Sequence, residues 1–177
     1  DLKRILAYSS VAQMGYILLG VGVGLAYGIR VGYEGGLFHI MTHAFMKGLA
    51  FLCAGAIIHQ LGTRYVDEME GIGLSMKVTG FAFALSLLAL AGVPPLSGFM
   101  SEWMVFSGGI MTYGVIGLWG IAIAVIALLN ALLSLGYYLP IIKTLYLPDE
   151  RKGILKARDP SAVMLLAIVI LAGLTII

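Results

Sequence analysis

The chain is 177 residues long with a formal net charge of +2; 60% of it is hydrophobic, 11% is charged, and its mean hydropathy is +1.01. These values exclude an ordinary soluble domain, where about a quarter of residues carry charge, and they make lipid the solvent. The lone cysteine, Cys53, excludes a disulfide framework or an iron–sulfur cluster within the chain. No haem, flavin or nucleotide fingerprint appears, so neither a cofactor nor a nucleic-acid partner is expected.

The opening Asp1-Leu2-Lys3-Arg4 carries no signal-peptide pattern and reads as the C-terminal part of something longer. A first membrane pass is predicted over 5–27, where Gly15, Gly20, Gly22 and Gly24 point to close helix approach. Tyr8, Ser9, Ser10 and Gln13 offer hydroxyl and amide groups to water, although small polar residues also simply pack helices.

The second predicted pass, 35–61, contains His39, His43 and Lys47, whose spacing of four places them near one helical face. The stripe rises about 12 Å and covers over a third of a hydrocarbon core about 30 Å thick. An ammonium near the bilayer centre costs at least about 2.5 kcal/mol. Lys47 stands about 18 Å from the nearer end of its pass, roughly three times the reach of its stem, so it cannot snorkel to water. A buried lysine with two imidazoles in line points to movement of protons or ions. Two competing readings are a pair of interhelical hydrogen-bonding histidines and a zinc site. The zinc reading lacks a third Cys, Asp or Glu nearby in sequence, so no metal is expected. His59, near the end of the same pass, reads either as interfacial or as the inner mouth of a relay.

A third region, 76–111, spans about 54 Å if helical, too long for one straight pass, and contains Pro94, Pro95 and Gly98. The distribution of basic residues chooses between two passes and one broken pass. With one broken pass, Lys3, Arg4, Arg64, Lys77, Lys143, Arg151, Lys152, Lys156 and Arg158 share a side, while only Arg30 faces the other. Two passes divide the charges almost evenly. The broken pass is therefore predicted, with the N-terminal loop cytoplasmic and the C-terminus outside. Broken spans require buried or cavity-lining backbone and mark ion or substrate sites in transporters. Glu102 lies just beyond the break. It is either a helix-start acid favoured by the dipole or a proton-accepting carboxylate, and its membrane depth favours the second reading.

A fourth pass is predicted over 113–145 and a fifth over 160–177. Asn130, mid-span in the fourth, reads as an interhelical hydrogen-bonder ahead of a relay residue. Lys143 reads as a topology charge. The loops holding Asp67, Glu68 and Glu70, and the 147–159 loop, read as solvated or partner-facing. The fold class is thus all-α: a polytopic membrane helix bundle of five passes, the third broken at Pro94-Pro95, forming one transmembrane domain over 1–177.

Three strings, DLKRILAYSSVAQMGY, FHIMTHAFMKGLAFLCAGAII and AGVPPLSGFMSEWMVF, together resemble the antiporter-like membrane subunits of respiratory complex I. The same family includes large subunits of multi-subunit cation/proton antiporters and their equivalents in membrane-bound hydrogenases. The resemblance implies the C-terminal portion of a fourteen-helix subunit, helices 10 to 14, without the first half of the fold. It implies a proton relay of His39, His43, Lys47 and Glu102, with His59, Ser9 and Asn130 as support around the Pro94, Pro95 and Gly98 break. Glutamate at position 102, where some members carry lysine, leaves the charge logic there open. The implied activity is proton translocation, or sodium translocation, driven by redox partners that are further membrane subunits of a large complex in a prokaryotic inner or plasma membrane. A secondary cation/proton antiporter subunit and a structural subunit without its own path are the alternatives.

Overall fold

A computed structural model of the chain describes residues 1–148 and 155–176, and all regular structure among them is helical. Residues 149–154 of the 147–159 loop, among them Arg151 and Lys152, two of the basic residues counted above, and Ile177 lie outside the described residues. Helix α1, Leu2–Tyr27, starts where the Asp1 carboxylate accepts from the Arg4 N–H at 3.1 Å. It stops at Gly28, whose φ of 68° lets its N–H turn back to Gly24 O.

Helix α2, Arg30–Leu61, starts five residues before the predicted pass. Gly32, Gly35 and Gly36 weaken it intrinsically, yet they are the residues that bring it against its neighbours. A Cβ on Gly20 would lie 2.7 Å from Gly32 O and 2.9 Å from Gly36 Cα, and one on Gly108 would lie 2.5 Å from Gly32 Cα. Gly20 and Gly24 thus make the predicted close approach. Gly15 and Gly22 do not, because both point away from α2 and a Cβ there would meet nothing within 4 Å.

After a 3₁₀ turn at Val66–Glu68 come α3, Ile72–Ser75, and α4, Lys77–Leu90. Asp159 caps α4 from a distance, accepting from Thr79 N at 3.0 Å and Thr79 Oγ1 at 2.7 Å. At least that part of the 147–159 loop is therefore packed rather than simply solvated. Helix α5, Ser97–Met111, follows the interruption at 91–96.

The predicted fourth pass divides into α6, Tyr113–Ile116, and α7, Leu118–Tyr146. Gly117 lies between them, and its φ of 60° falls outside the helical region. Helix α8, Ala162–Ile176, rises only about 22 Å. By length and composition, α1, α2 and α7 can each cross a membrane.

Helix α2 is the hub, packing against α1, α4, α5 and α8. The core around it includes Leu6, Met46, Leu49, Ile57, Phe83 and Leu87, all fully buried.

The break saturates its own donors. Ala91 N–H reaches Leu87 O at 3.0 Å, Gly92 N–H reaches Ala89 O, Val93 N–H reaches Leu88 O and Leu96 N–H reaches Val93 O, each at 3.1 Å. Pro94 and Pro95 have no N–H to satisfy. This is why both prolines can stand exposed on the chain surface, where buried or cavity-lining backbone was expected.

Candidate functional site

Three helices bring polar side chains together at the break, inside an otherwise apolar bundle. Pro94 cannot donate to Leu90 O, the bond an uninterrupted helix would make. Gln13 of α1 replaces that donor, its Nε2 lying 3.1 Å from Leu90 O. A carbonyl only accepts, so the bond fixes the Gln13 amide and turns Oε1 toward His39 Nε2 at 2.7 Å. Oε1 also only accepts, so His39 Nε2 carries a proton. His39 Nδ1 meets Ser101 Oγ of α5 at 2.8 Å, and Thr42 Oγ1 meets the same oxygen at 3.1 Å. His39, Gln13, Ser101 and Thr42 are all buried.

Glu102, 2% exposed, joins this cluster from α5 and faces the Gln13 amide. Its carboxyl group folds back over Gly92. A side chain on Gly92 would strike it, and the residue's φ of 69° further restricts the position to glycine. The residue after the interrupted helix is thereby held against the interruption itself.

On the other side of His39, His43 stacks at a centroid distance of 6.1 Å, and its buried Nε2 has no hydrogen-bond partner. Such an atom inside a polar cluster is suited to an ordered water. Lys47, 6% exposed, donates from Nζ to Leu6 O at 2.9 Å and to Ser9 Oγ. The relay residues predicted from α2 therefore lie in one row, with Glu102 at its far end across Gln13. Ser9 is a direct partner of Lys47.

The remaining predicted positions lie elsewhere. His59 is exposed and about 18 Å along α2 from Lys47. Asn130 stands beside Tyr16, whose hydroxyl donates to Ala127 O at 3.2 Å. With Ala12 and Gly15, both residues line a cavity of about 310 Å³ between α1 and α7. Gly98, in the first turn of α5, is buried against the end of α4. Among the described residues no three His, Cys, Asp or Glu side chains gather where a metal could sit.

Ser101 and Thr42 escaped the sequence reading, and Gln13 entered it only as a contact for water. The available signal was that small hydroxyl residues stand at Ser97 and Ser101, four apart on α5 and so on one face.

Residues 1–129 match the family model described as NADH:quinone oxidoreductase/Mrp antiporter, TM. The F(420)H(2) dehydrogenase subunit N of Methanosarcina mazei is 36% identical over 165 residues, covering 86% of this chain and 31% of that protein. Hydrogenase-4 component B of Escherichia coli is 44% identical over 111 residues, covering 58% of this chain and 16% of that protein. Among solved structures, a chain of respiratory complex I from Thermus thermophilus with bound NADH superposes with a TM-score of 0.80 at 26% identity. That match covers 96% of this chain and 34% of that one. The chain thus spans about a third or less of the length of these relatives.

Proposed function

The chain belongs to the NADH:quinone oxidoreductase/Mrp antiporter transmembrane family, and on that footing we propose that it carries part of a proton path in a membrane subunit of a redox-driven ion-pumping complex. The observation that carries this reading is the buried polar row from Glu102 through Gln13, His39 and His43 to Lys47, set beside a helix break. Buried titratable groups in a membrane interior are costly unless used, and these interleave with groups that donate and accept hydrogen bonds.

In this reading Lys47 exchanges protons with the neighbouring part of the complex, the histidines conduct along α2, and Glu102 exchanges toward the outer half-channel. A unit charge about 8 Å away, at an effective dielectric of about 20, alters a site's proton affinity by about 2 kcal/mol. A charge step in a neighbouring subunit is thus sufficient to move a proton along the row. The segments α4 and α5 together make one broken pass, so the chain crosses five times. Its N-terminus is cytoplasmic and its C-terminus outside, in a prokaryotic inner or plasma membrane. The partners are the other membrane subunits of the complex, and no cofactor sits in this chain.

The test is redox-driven proton uptake by vesicles holding the intact complex, comparing wild type with Lys47→Ala and Glu102→Gln over a range of sodium concentrations. Loss of uptake with electron transfer retained is the expected result. An unchanged ion-to-electron ratio in both variants refutes the proton path and leaves a structural subunit. Uptake that tracks sodium moves the assignment to sodium translocation.

A further inference from the structure

The hydroxyl of Ser101 has more acceptors within reach than it has protons. Oγ lies 2.8 Å from His39 Nδ1, 3.0 Å from Gly98 O and 3.2 Å from Ser97 O. A neutral His39 already carries its proton on Nε2, facing Gln13 Oε1, so Nδ1 has a lone pair and the Ser101 O–H must donate to it. An imidazolium has no such lone pair. Nδ1–H must then donate, Ser101 Oγ must accept, and the serine proton needs another acceptor. Gly98 O and Ser97 O supply it within the first turns of the helix that carries Ser101.

From this geometry we infer that Ser101 is a positioning residue whose hydroxyl, by turning about its Cβ–Oγ bond, keeps His39 fully hydrogen-bonded both with one ring proton and with two. The inference rests on the proposed proton path and assigns a role within it to a residue outside the row of titratable groups. The ring itself need not move, because Gln13 holds Nε2 in both states and is held in turn by Leu90 O. Thr42 supports the same oxygen from 3.1 Å but can instead bond its own helix at His39 O, 3.3 Å away.

The proton His39 gains is one given up by Glu102, which becomes a carboxylate, or by Lys47, which becomes a neutral amine, so the net charge of the row is unchanged. His43 on α2 and Tyr16 on α1, at 6.1 and 5.6 Å between ring centroids, are the other titratable groups flanking His39. An exposed imidazole would find water for either state. His39 is fully buried, so each missing partner penalises one state against the other.

The experiment uses the intact complex in vesicles with Ser101→Ala and Ser101→Cys, and Lys47→Ala as reference. Solid-state NMR of the same samples, labelled with ¹⁵N-histidine, reads the His39 ring nitrogens. Ser101→Ala is expected to lower proton uptake at least tenfold and to shift the Nδ1 resonance. Ser101→Cys, nearly isosteric and a weak donor, should fall between Ser101→Ala and wild type. A fold-supporting role alone would leave the Nδ1 resonance in place. Wild-type uptake by Ser101→Ala while Lys47→Ala is inactive overturns the serine assignment and leaves the path standing. Wild-type uptake by both overturns the serine assignment together with the path.

Discussion

Gln13→Leu removes hydrogen bonds from the site while keeping a buried side chain of comparable volume. Two described bonds go with it, 2.7 Å to His39 and 3.1 Å to Leu90 O. A buried polar group left without a partner costs about 1–3 kcal/mol, so the pair amounts to about 2–6 kcal/mol. Average side-chain hydrogen bonds in membrane proteins are worth less, about 0.6 kcal/mol, because their partners find replacements. Leu90 O has no such replacement, since Pro94 occupies the position from which an N–H would reach it. Gln13 is also 1% exposed, so water does not substitute from the surface. Even the low figure of about 2 kcal/mol corresponds to about 30-fold in rate if the bridge from Glu102 to His39 is needed when the proton moves. Proton uptake in vesicles containing the intact complex measures this, with electron transfer as the internal control. Uptake within twofold of wild type, in a fully assembled complex, would refute the idea that Gln13 joins the two halves of the row.

Two further outcomes follow from placement alone. Gly20→Ala forces a Cβ to within 2.7 Å of Gly32 O, whereas Gly22→Ala places one in open space. The first should destabilise the subunit by about 1–3 kcal/mol and the second should be neutral or mildly stabilising. Thermal unfolding of the detergent-solubilised complex compares them, and equal midpoints would contradict the backbone contact between α1 and α2. His59→Ala should leave proton uptake within twofold of wild type, since His59 is exposed and just over three helical turns, about 18 Å, from Lys47. A tenfold loss would restore it as the inner mouth of the path.

Sequence alone revealed what lies along one helix. The spacing of His39, His43 and Lys47 is a property of α2, and the 3.6-residue period aligns them before any tertiary structure exists. Pro94-Pro95 announced the interruption equally directly. Partners from other helices carried no comparable mark. Gln13 of α1 and Ser101 of α5 lie 26 and 62 residues from His39 in sequence, and no periodicity links them. The start of α2 was misplaced because glycines that lower helix propensity are here required for packing, so tertiary contact overrode local preference. The turn at Gly117 was missed because Gly114, Gly117 and Gly120, three apart in an apolar run, read as ordinary helix-packing residues.

The glycine contacts and the polar cluster are two decks of one frame. Gly20, Gly32 and Gly108 each lie seven residues from Gln13, His39 and Ser101 on α1, α2 and α5 respectively. Seven residues are close to two turns, about 10.5 Å, so the upper deck stands over the lower one on the same helical faces. Where main chains touch, no pliant side chain lies between them to absorb an error in height. A displacement of one helix at the glycine deck is therefore handed on undamped to the hydrogen bonds two turns below. The frame behaves as a gauge block, setting oxygen–nitrogen spacings through glycines that lie outside the polar row. Lesions in proton coupling should then be found at residues with no polar group at all.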